Sequence, residues 1–219
     1  MKTLAFSVLS LALFLSACED PAANKPKANV ANASNTTTTN TGANTATAPG
    51  KTETLALSPD NSKVEFTASK VTMSHPGGFK QFSGTITLVG EKAENSKVTV
   101  DIDLSSVYTN EDKLTEHLKT PDFFDVAKYP KANFTSTSIV PDTAKGADNY
   151  TVTGDLDLHG QKKSITFPAT IKVTPDDVSV NAEFSINRKD FGIVYPGMAN
   201  DLIRDDVVMK LTLKSPRKK

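Results

Sequence analysis

Hydrophobic and polar residues alternate in eight segments of the chain. The segments that carry this pattern are 64–68, 82–88, 98–104, 134–136, 152–158, 165–173, 178–186 and 207–213. A period of two is typical of a β-strand with one buried face, so we predict eight strands. The connections between them include VGEKAENS, PDTAKGADN, HGQKK and TPDD, which are polar and rich in turn-forming residues. Short connections favour antiparallel neighbours, so we predict an all-β antiparallel barrel, with a two-sheet sandwich as the alternative.

One segment, TNEDKLTEHLK at residues 109–119, predicts a short helix inserted among the strands. Thr109 or Asn110 can cap its first turn, because their side chains can accept hydrogen bonds from free backbone amides. Leu114 and Leu118 lie four residues apart and therefore share one face of the helix. We expect this face to pack on the barrel.

The stretch PDFFDVAKYP follows the helix, which Pro121 ends. It predicts a flap packed across or into one end of the barrel. Neighbouring residues of an extended chain point to opposite sides, so at least one of Phe123 and Phe124 is expected to face the interior. Two interpretations stay open: the two rings line a cavity, or they plug the barrel end as part of a solid core.

The first residues predict export from the cytoplasm. Lys2 precedes an apolar run over residues 4–15 and the sequence LSAC, an arrangement typical of a secretory signal. The run is too short to span a bilayer as a mature helix. LSAC resembles the lipobox of bacterial lipoproteins, which implies removal of the signal peptide 1–17 and acylation of Cys18, with palmitate among the acyl groups. The alternative is an ordinary signal peptide with a stray cysteine.

Residues 18–52 differ in composition from the rest of the chain. They are rich in Ala, Asn, Thr and Pro, contain no aromatic residue and have Val30 as their only valine. Such a segment buries too little apolar surface to offset its chain entropy, so we predict a disordered tether. This leaves residues 53–215 as a single domain, followed by a basic tail at 216–219.

Neither catalysis nor nucleic-acid binding is indicated by the composition and motifs. The chain has 25 basic and 25 acidic residues and so lacks the positive excess typical of a nucleic-acid-binding protein. Its histidines, at 75, 117 and 159, have no second ligand at a metal-binding spacing, and no nucleophile elbow or nucleotide-binding motif is visible. The acids around Asp205 lack the spacing of a calcium loop. We expect a protein that is not an enzyme and uses no metal or cofactor.

The last long connection, INRKDFGIVYPGMANDLIRDD, combines charged and apolar side chains. Arg188 and Asp190 can pair at the barrel rim, while Phe191, Ile193 and Tyr195 supply an apolar edge. Two interpretations stay open: a lid that a ligand passes, or a capping loop whose arginine satisfies carbonyl groups. Two shorter motifs, HPGG and LHG, are interpreted as turns.

The inward positions of the predicted strands are apolar along the whole barrel. They fit either a solid core or a cavity that holds an apolar ligand, because both require apolar residues inside. Gly84 and Gly154 fall on inward positions and favour space.

Three segments, EHLKTPDFFDVAKYPKANFTST, YTVTGDLDLHGQKKSITFPATI and FSINRKDFGI, resemble the YceI-like family of bacterial exported proteins and occur in its order. The resemblance covers nearly all of residues 55–214. It implies a lipocalin-like, eight-stranded barrel with a helix inserted midway, and an isoprenoid chain bound in an elongated apolar interior. The side chains that we expect at this ligand are Phe66, Ile86, Leu88, Val100, Ile102, His117, Phe123, Phe124, Phe134, Leu156, Leu158, Phe167, Phe184, Ile186, Arg188, Phe191, Tyr195, Met209 and Leu211.

Together these features predict an envelope lipoprotein that binds a polyprenol or an isoprenoid quinone for transport, storage or scavenging. Its partners would be this lipid and the membrane that holds the acylated Cys18. The alternative is a non-catalytic stress or interaction protein with a filled barrel. An aspartate directly after the lipidated cysteine favours the inner membrane in enteric bacteria, and Glu19 stands there instead. We therefore expect the periplasmic face of the outer membrane, with the inner membrane as the alternative.

Overall fold

The structure, a computed structural model, describes residues 19–33 and 50–217. Within these residues the chain forms mostly β-strands, with one α-helix and three short 3-10 helices. The elements are β1 (Asn29–Asn32), β2 (Thr52–Leu57), β3 (Lys63–Ser69), β4 (Ser74–Phe79), β5 (Phe82–Val89), β6 (Lys92–Asp103), β7 (Val107–Thr109), α1 (Asp112–Leu118), β8 (Lys131–Pro141), β9 (Asn149–Leu158), β10 (Gln161–Val173), β11 (Asp177–Asn187), β12 (Gly197–Met198), β13 (Asp201–Leu202) and β14 (Asp206–Pro216), and the 3-10 helices span Leu104–Ser106, Thr143–Lys145 and Arg188–Phe191.

Twelve of the strands form one antiparallel sheet. Its order is β2-β5-β6-β8-β9-β10-β11-β14-β3-β4-β7, with β1 attached to β10, while β12 and β13 form a separate hairpin. All eight predicted strand segments are present, as β3, β5, β6, β8, β9, β10, β11 and β14. The strand count is higher than predicted because short strands such as β4 and β7 precede or follow a longer strand across a bend.

The sheet curls back on itself, so that its edge strand β2 approaches β14. β2 and β3 are consecutive in the chain, yet β2 pairs with β5 whereas β3 pairs with β14. Where β2 and β14 approach each other, Ser215 Oγ donates a hydrogen bond of 2.7 Å to the carbonyl oxygen of Ala56. The predicted all-β, lipocalin-like antiparallel barrel with one inserted helix is confirmed, and the sandwich alternative is wrong because one sheet contains all the long strands.

The barrel core follows the period of two that the sequence carries. In β11 the alternate residues Val178, Val180, Ala182, Phe184 and Ile186 are all buried. The same faces of the neighbouring strands contribute to one continuous apolar cluster. Full burial of a large apolar side chain is worth about 1.5–3 kcal/mol, so this repeated pattern holds the sheet in its register.

The HPGG motif forms strand β4 and not the predicted turn. β4 pairs with β3 on one side and with β7 on the other. A Cβ atom on Gly77 would lie 2.4 Å from the carbonyl oxygen of Tyr108 and 2.6 Å from the ring of Phe66. Glycine is required here because its neighbours pack too closely to leave room for a side chain. The sequence does not reveal this, because the same motif is typical of a turn. The LHG motif, in contrast, forms the predicted turn, with positive φ angles at His159 and Gly160.

Helix α1 begins later than predicted. Glu111 is its N-cap, without a side-chain hydrogen bond, whereas Thr109 belongs to β7. The Thr109 amide instead donates a hydrogen bond of 2.9 Å to Thr115 Oγ1, which ties the strand to the helix. The helix ends at Leu118, before Pro121, as the sequence predicts.

The flap after α1 is a series of turns and not an extended chain. The amide of Phe124 donates to the carbonyl oxygen of Leu118, and that of Asp125 donates to the carbonyl oxygen of Thr120. The alternation of an extended chain therefore does not apply to Phe123 and Phe124, but the prediction that at least one of them faces the interior agrees with the structure. Both rings pack against the core cluster.

Residues 20–32, which we call the N-terminal strap, pack on the barrel and contradict the predicted disorder for this part of 18–52. β10 and β11 pair only along Thr170–Val173 in the described ladder. Beyond it the strap lies between them: β1 pairs with β10, and Lys27 forms a bridge with Ser185 of β11. Ser185 donates to and accepts from the strap backbone in two hydrogen bonds of 2.8 Å.

The strap is ordered although its side chains are small, because backbone hydrogen bonds need no particular side chain. Ala22 and Ala28 are buried, and Lys25 pairs with Glu183 at 3.0 Å. Composition alone did not predict that the N-terminal strap is ordered. The predicted signal peptide, Cys18, residues 34–49 and the end of the basic tail lie outside the described residues. In the part of the chain that is described, no helix is long and apolar enough to cross a membrane.

Candidate functional site

A cavity of about 90 Å³, which we call the inner cavity, lies in the middle of the barrel. Strands from all around the sheet contribute to it, and every lining side chain is apolar. The predicted ligand residues in its wall are Val100, Ile102, Phe134, Leu156, Phe167, Phe184, Ile186, Met209 and Leu211, and the others are Val64, Val98, Ile139, Val152, Ile165, Ile171, Val180 and Leu213.

A second space of about 120 Å³, the middle cavity, lies between the inner cavity and the flap. The two cavities share Ile102, Leu156, Ile186 and Met209 in their walls, so they are separated only by side chains. The predicted residues that line the middle cavity are Phe66, Ile102, Phe123, Phe124, Leu156, Leu158, Ile186, Arg188 and Met209.

The middle cavity leads to an opening of about 300 Å³, the mouth cavity. Phe66 and Phe123 line both spaces, and the predicted residues His117 and Tyr195 stand at the outer side. Three cavities therefore form a row from the barrel centre to the surface. A linear apolar molecule matches this shape.

Some predicted residues lie away from this row. Ile86 and Leu88 surround a space of only about 10 Å³. Phe191 is fully buried in a 3-10 helix, and His159 Nδ1 lies 3.1 Å from its carbonyl oxygen. These three side chains are core residues whose apolar character alone suggested a ligand role.

Arg188 is buried and serves the loop beside it. It pairs with Asp205 at 3.2 Å and not with Asp190 as predicted. Its guanidinium also donates to the carbonyl oxygens of Ile193, at 2.8 Å, and Arg204, at 3.2 Å. Burial lowers the pKa of Arg188, and the charge of Asp205 opposes that shift. This geometry matches the capping loop among the two interpretations of the last connection.

The aromatic wall of the mouth is built from the helix and the last connection. His117 packs edge-on against Phe123 and Tyr195, with ring centroids 4.9 and 5.2 Å apart. Its Nε2 lies 2.7 Å from Asp122 Oδ2, so the flap itself orients the ring. His117, one of the side chains expected at the ligand, therefore lies at the mouth.

The polar side of the mouth contains residues that the sequence analysis missed. Ser69 is only 3% exposed and its Oγ has no hydrogen-bond partner among the described residues. His75 is also buried, and its Nδ1 contacts Asn110 Oδ1 at 3.1 Å. Both side chains line the mouth cavity. Their strand patterns gave no signal, because the sequence does not reveal which end of a strand faces an opening.

Charges at the mouth are balanced. The cavity wall contains two lysines, Lys70 and Lys113, and two acids, Glu111 and Asp201. Lys70 pairs with Asp201 at 2.7 Å. Hydrogen bonds from Lys70 and Thr72 lower the pKa of Asp201, which keeps the pair charged. The opening therefore has no strong net field for an anion or a cation.

The two inward glycines do not create the space that we predicted. A Cβ atom on Gly154 would lie 2.4 Å from the ring of Phe134, and one on Gly84 would lie 2.3 Å from the carbonyl oxygen of Thr99. A ring and a neighbouring strand fill these places. In the described residues, His, Cys, Asp and Glu side chains form no group of three that could hold a metal ion.

Comparison with known proteins identifies the family. The YceI-like domain family matches residues 55–215, close to the predicted domain 53–215. A UPF0312 protein of Pseudomonas putida strain W619 is 39% identical over 137 residues, which cover 60% of this chain and 70% of that protein.

Solved structures share the fold. BcnA of Burkholderia cenocepacia superposes with a TM-score of 0.64 at 25% identity, covering 72% of this chain and 98% of that one. A polyisoprenoid-binding domain from Saccharophagus degradans, implicated in plant cell wall breakdown, gives a TM-score of 0.60 at 22% identity over 76% of this chain and 100% of its own. Since the family match spans most of the chain and the barrel has the same fold, this protein belongs to the YceI-like family.

Proposed function

We propose that this protein is an envelope lipoprotein whose barrel binds one long isoprenoid lipid for transport, storage or scavenging. The observation that carries the proposal is the row of cavities from the barrel centre to the surface, with an entirely apolar wall at its inner end. Ligand sites in proteins are typically concave and apolar with a few polar groups that fix orientation. In this protein the polar groups that could fix the orientation of a ligand lie at the mouth end of the row of cavities.

One of the solved structures with this fold supports the same class of ligand. The domain from Saccharophagus degradans is described as polyisoprenoid-binding, and its fold matches 76% of this chain. An isoprenoid chain needs a dry environment, because moving each methylene group from lipid into water costs about 0.8 kcal/mol. The apolar interior of the barrel offers a replacement for the bilayer.

The ligand must widen the barrel when it enters. The inner and middle cavities, of about 90 and 120 Å³, are smaller than the 300–1,000 Å³ that is usual for ligand sites. Phe167 and Phe184 stack in the wall of the inner cavity with centroids 4.1 Å apart. Rotation of these rings would enlarge the inner cavity, and rotation of the side chains that it shares with the middle cavity would join the two spaces. We therefore propose that the empty barrel is partly collapsed.

The mouth suits a neutral head group. Two lysines and two acids balance there, so a diphosphate would meet no excess of positive charge. The unpaired Ser69 hydroxyl and the buried His75 ring offer hydrogen bonds instead. A quinone carbonyl or a polyprenol hydroxyl matches this arrangement. We propose no catalytic step.

The proposed location follows from the export signal. Acylation of Cys18 would hold the mature chain on a membrane, and Glu19 at the next position favours the periplasmic face of the outer membrane. Lipids with isoprenoid chains reside in membranes, so an anchored barrel works beside its ligand.

Mass spectrometry of bound lipid tests the proposal. The mature chain, residues 18–219 with Cys18→Ser, is exported to a bacterial periplasm, purified without detergent and extracted. We expect a prenyl lipid at about one molecule per barrel, and none from a cavity-free exported protein prepared from the same cells. A folded, lipid-free protein that also takes up no added polyprenol or quinone would overturn the proposal. The small cavities would then favour the interaction protein with a filled barrel.

A further inference from the structure

Exposed apolar side chains gather at one place on the described surface. Five of the six large hydrophobic residues that are strongly exposed lie in two segments beside the mouth, namely Val71, Met73, Val194, Met198 and Leu202, with exposed fractions between 49% and 69%. The sixth, Val140, lies elsewhere, on β8. Single exposed hydrophobics are common, but a group of five at the rim of a cavity marks an interaction surface.

The two segments are fastened to each other. The amide of Val71 donates to the carbonyl oxygen of Leu202 at 3.1 Å. Thr72 Oγ1 donates a hydrogen bond to Asp201 Oδ1 at 2.9 Å, and the backbone of Lys70 forms an isolated antiparallel β-bridge with that of Ile203. The five side chains therefore belong to one surface, which we call the rim face.

The rim face surrounds the opening of the barrel. Lys70, Met198 and Ile203, which belong to the same two segments, line the mouth cavity. A molecule that contacts this face directly covers the entrance to the apolar interior. The partner is thus expected to be the source or the acceptor of what the barrel holds.

The N-terminal strap leads the chain to the same place. Asp20 pairs with Arg204 at 3.2 Å, and the amide of Arg204 donates to the carbonyl oxygen of Ser69 at 2.8 Å. Cys18 precedes Asp20 by two residues, which span at most about 7 Å. An acyl chain on Cys18 would therefore begin beside the mouth.

We propose that the rim face docks on a lipid bilayer, with the mouth turned toward the membrane. This step rests on the proposed acylation of Cys18, which places the bilayer next to the rim. Apolar loop side chains then enter the interfacial region, and an isoprenoid lipid passes between bilayer and barrel without crossing water. A protein partner would have no reason to coincide with both the acyl anchor and the cavity opening.

Tryptophan fluorescence can test the docking, because the chain contains no tryptophan. Val71→Trp probes the rim face, and Val140→Trp is a matched control, since both valines are 53% exposed. The acylated full-length variants are reconstituted into vesicles of phosphatidylethanolamine and phosphatidylglycerol that contain brominated lipids. We expect at least about twofold quenching for V71W and little for V140W.

Equal quenching of the two variants would overturn the docking face. If Cys18 proves not to be acylated, both variants are added to the same vesicles at excess lipid. Equal quenching of V71W and V140W would then overturn the docking of the rim face as well. Lipid extraction from each variant separates this result from the proposed cargo. Bound prenyl lipid without contrast in quenching rejects only the docking face, whereas contrast without bound lipid supports the docking face and rejects the cargo.

Discussion

Phe167 and Phe184 stack face to face, with ring centroids 4.1 Å apart and planes 12° apart, across the gap between β10 and β11. The two strands pair through Thr170–Val173, and beyond that ladder the strap enters between them. The rings thus close the interior where the direct hydrogen bonds between the strands end. Side-chain packing replaces backbone pairing at this point of the barrel wall.

Removal of the Phe184 ring should lower the free energy of unfolding and change the lipid that the barrel binds. Phe184→Ala leaves a hole beside the inner cavity, so we expect the free energy of unfolding to fall by about 3–5 kcal/mol in urea titrations of lipid-free protein. The lipid extracted from this variant should be longer or more abundant. Phe191→Ala, at a buried site outside the cavities, should destabilise similarly without changing the lipid. The same lipid change in both variants would contradict the cavity assignment.

Ser69→Ala should weaken ligand binding without weakening the fold. The Ser69 hydroxyl is buried and unpaired, so its removal leaves no partner unsatisfied, and the free energy of unfolding should stay equal or rise. Loss of one hydrogen bond to the head group should lower the affinity for a quinone or polyprenol about five- to tenfold. Titration with a short-chain analogue measures this. An unchanged affinity would remove Ser69 from the site.

Arg188 and Lys189 both pair with Asp205, but only Arg188 is buried. Arg188→Met leaves the carbonyl oxygens of Ile193 and Arg204 without their donor, so we expect a loss of about 3–5 kcal/mol in the free energy of unfolding. Lys189→Met removes an exposed ion pair and should cost less than about 1 kcal/mol. Equal losses would show that the two pairs are equivalent, against the capping assignment.

The strap should detach when a charge is buried beneath it. Ala28 is 6% exposed, whereas Ala31 on the same strap is exposed. In Ala28→Glu the buried carboxylate has no partner, so the amide of Ser185 should lose its protection against hydrogen exchange. Ala31→Glu is the control and should leave exchange unchanged. Retained protection in both variants would mean that the strap tolerates the charge by shifting.

Acid should loosen the rim face. Pairing with Lys70 and Thr72 lowers the pKa of Asp201 in the folded protein. The contribution of the Asp201 carboxylate to the stability of the folded state is therefore complete above the unfolded-state pKa of about 3.9. This contribution is lost as the pH falls through the lower folded-state pKa. Hydrogen exchange at the Val71 amide should increase in that window. In Asp201→Asn, exchange should be fast at neutral pH and independent of pH beyond the intrinsic rate.

The long strands were predictable because burial on one face leaves an alternating pattern, as in β11. The pairing of the strap and of β4 was not predicted, because alanine, asparagine and glycine carry no such pattern. Their backbone groups nevertheless pair equally well. The partner of Arg188 was misassigned because Asp190 is close in sequence, whereas Asp205 is close in space. The mouth residues Ser69 and His75 depend on which strand ends meet, and only the folded topology decides that.

The strap also dictates an order of events during maturation. It is synthesised before the barrel, and its partners in β10 and β11 follow much later in the chain, as the pairing of Asn29 with Thr166 illustrates. Contacts of such long sequence separation form late in folding. If Cys18 is acylated as proposed, the modifying enzymes would act before the strap docks, and the finished barrel would then settle onto an N-terminus that is already held in the membrane.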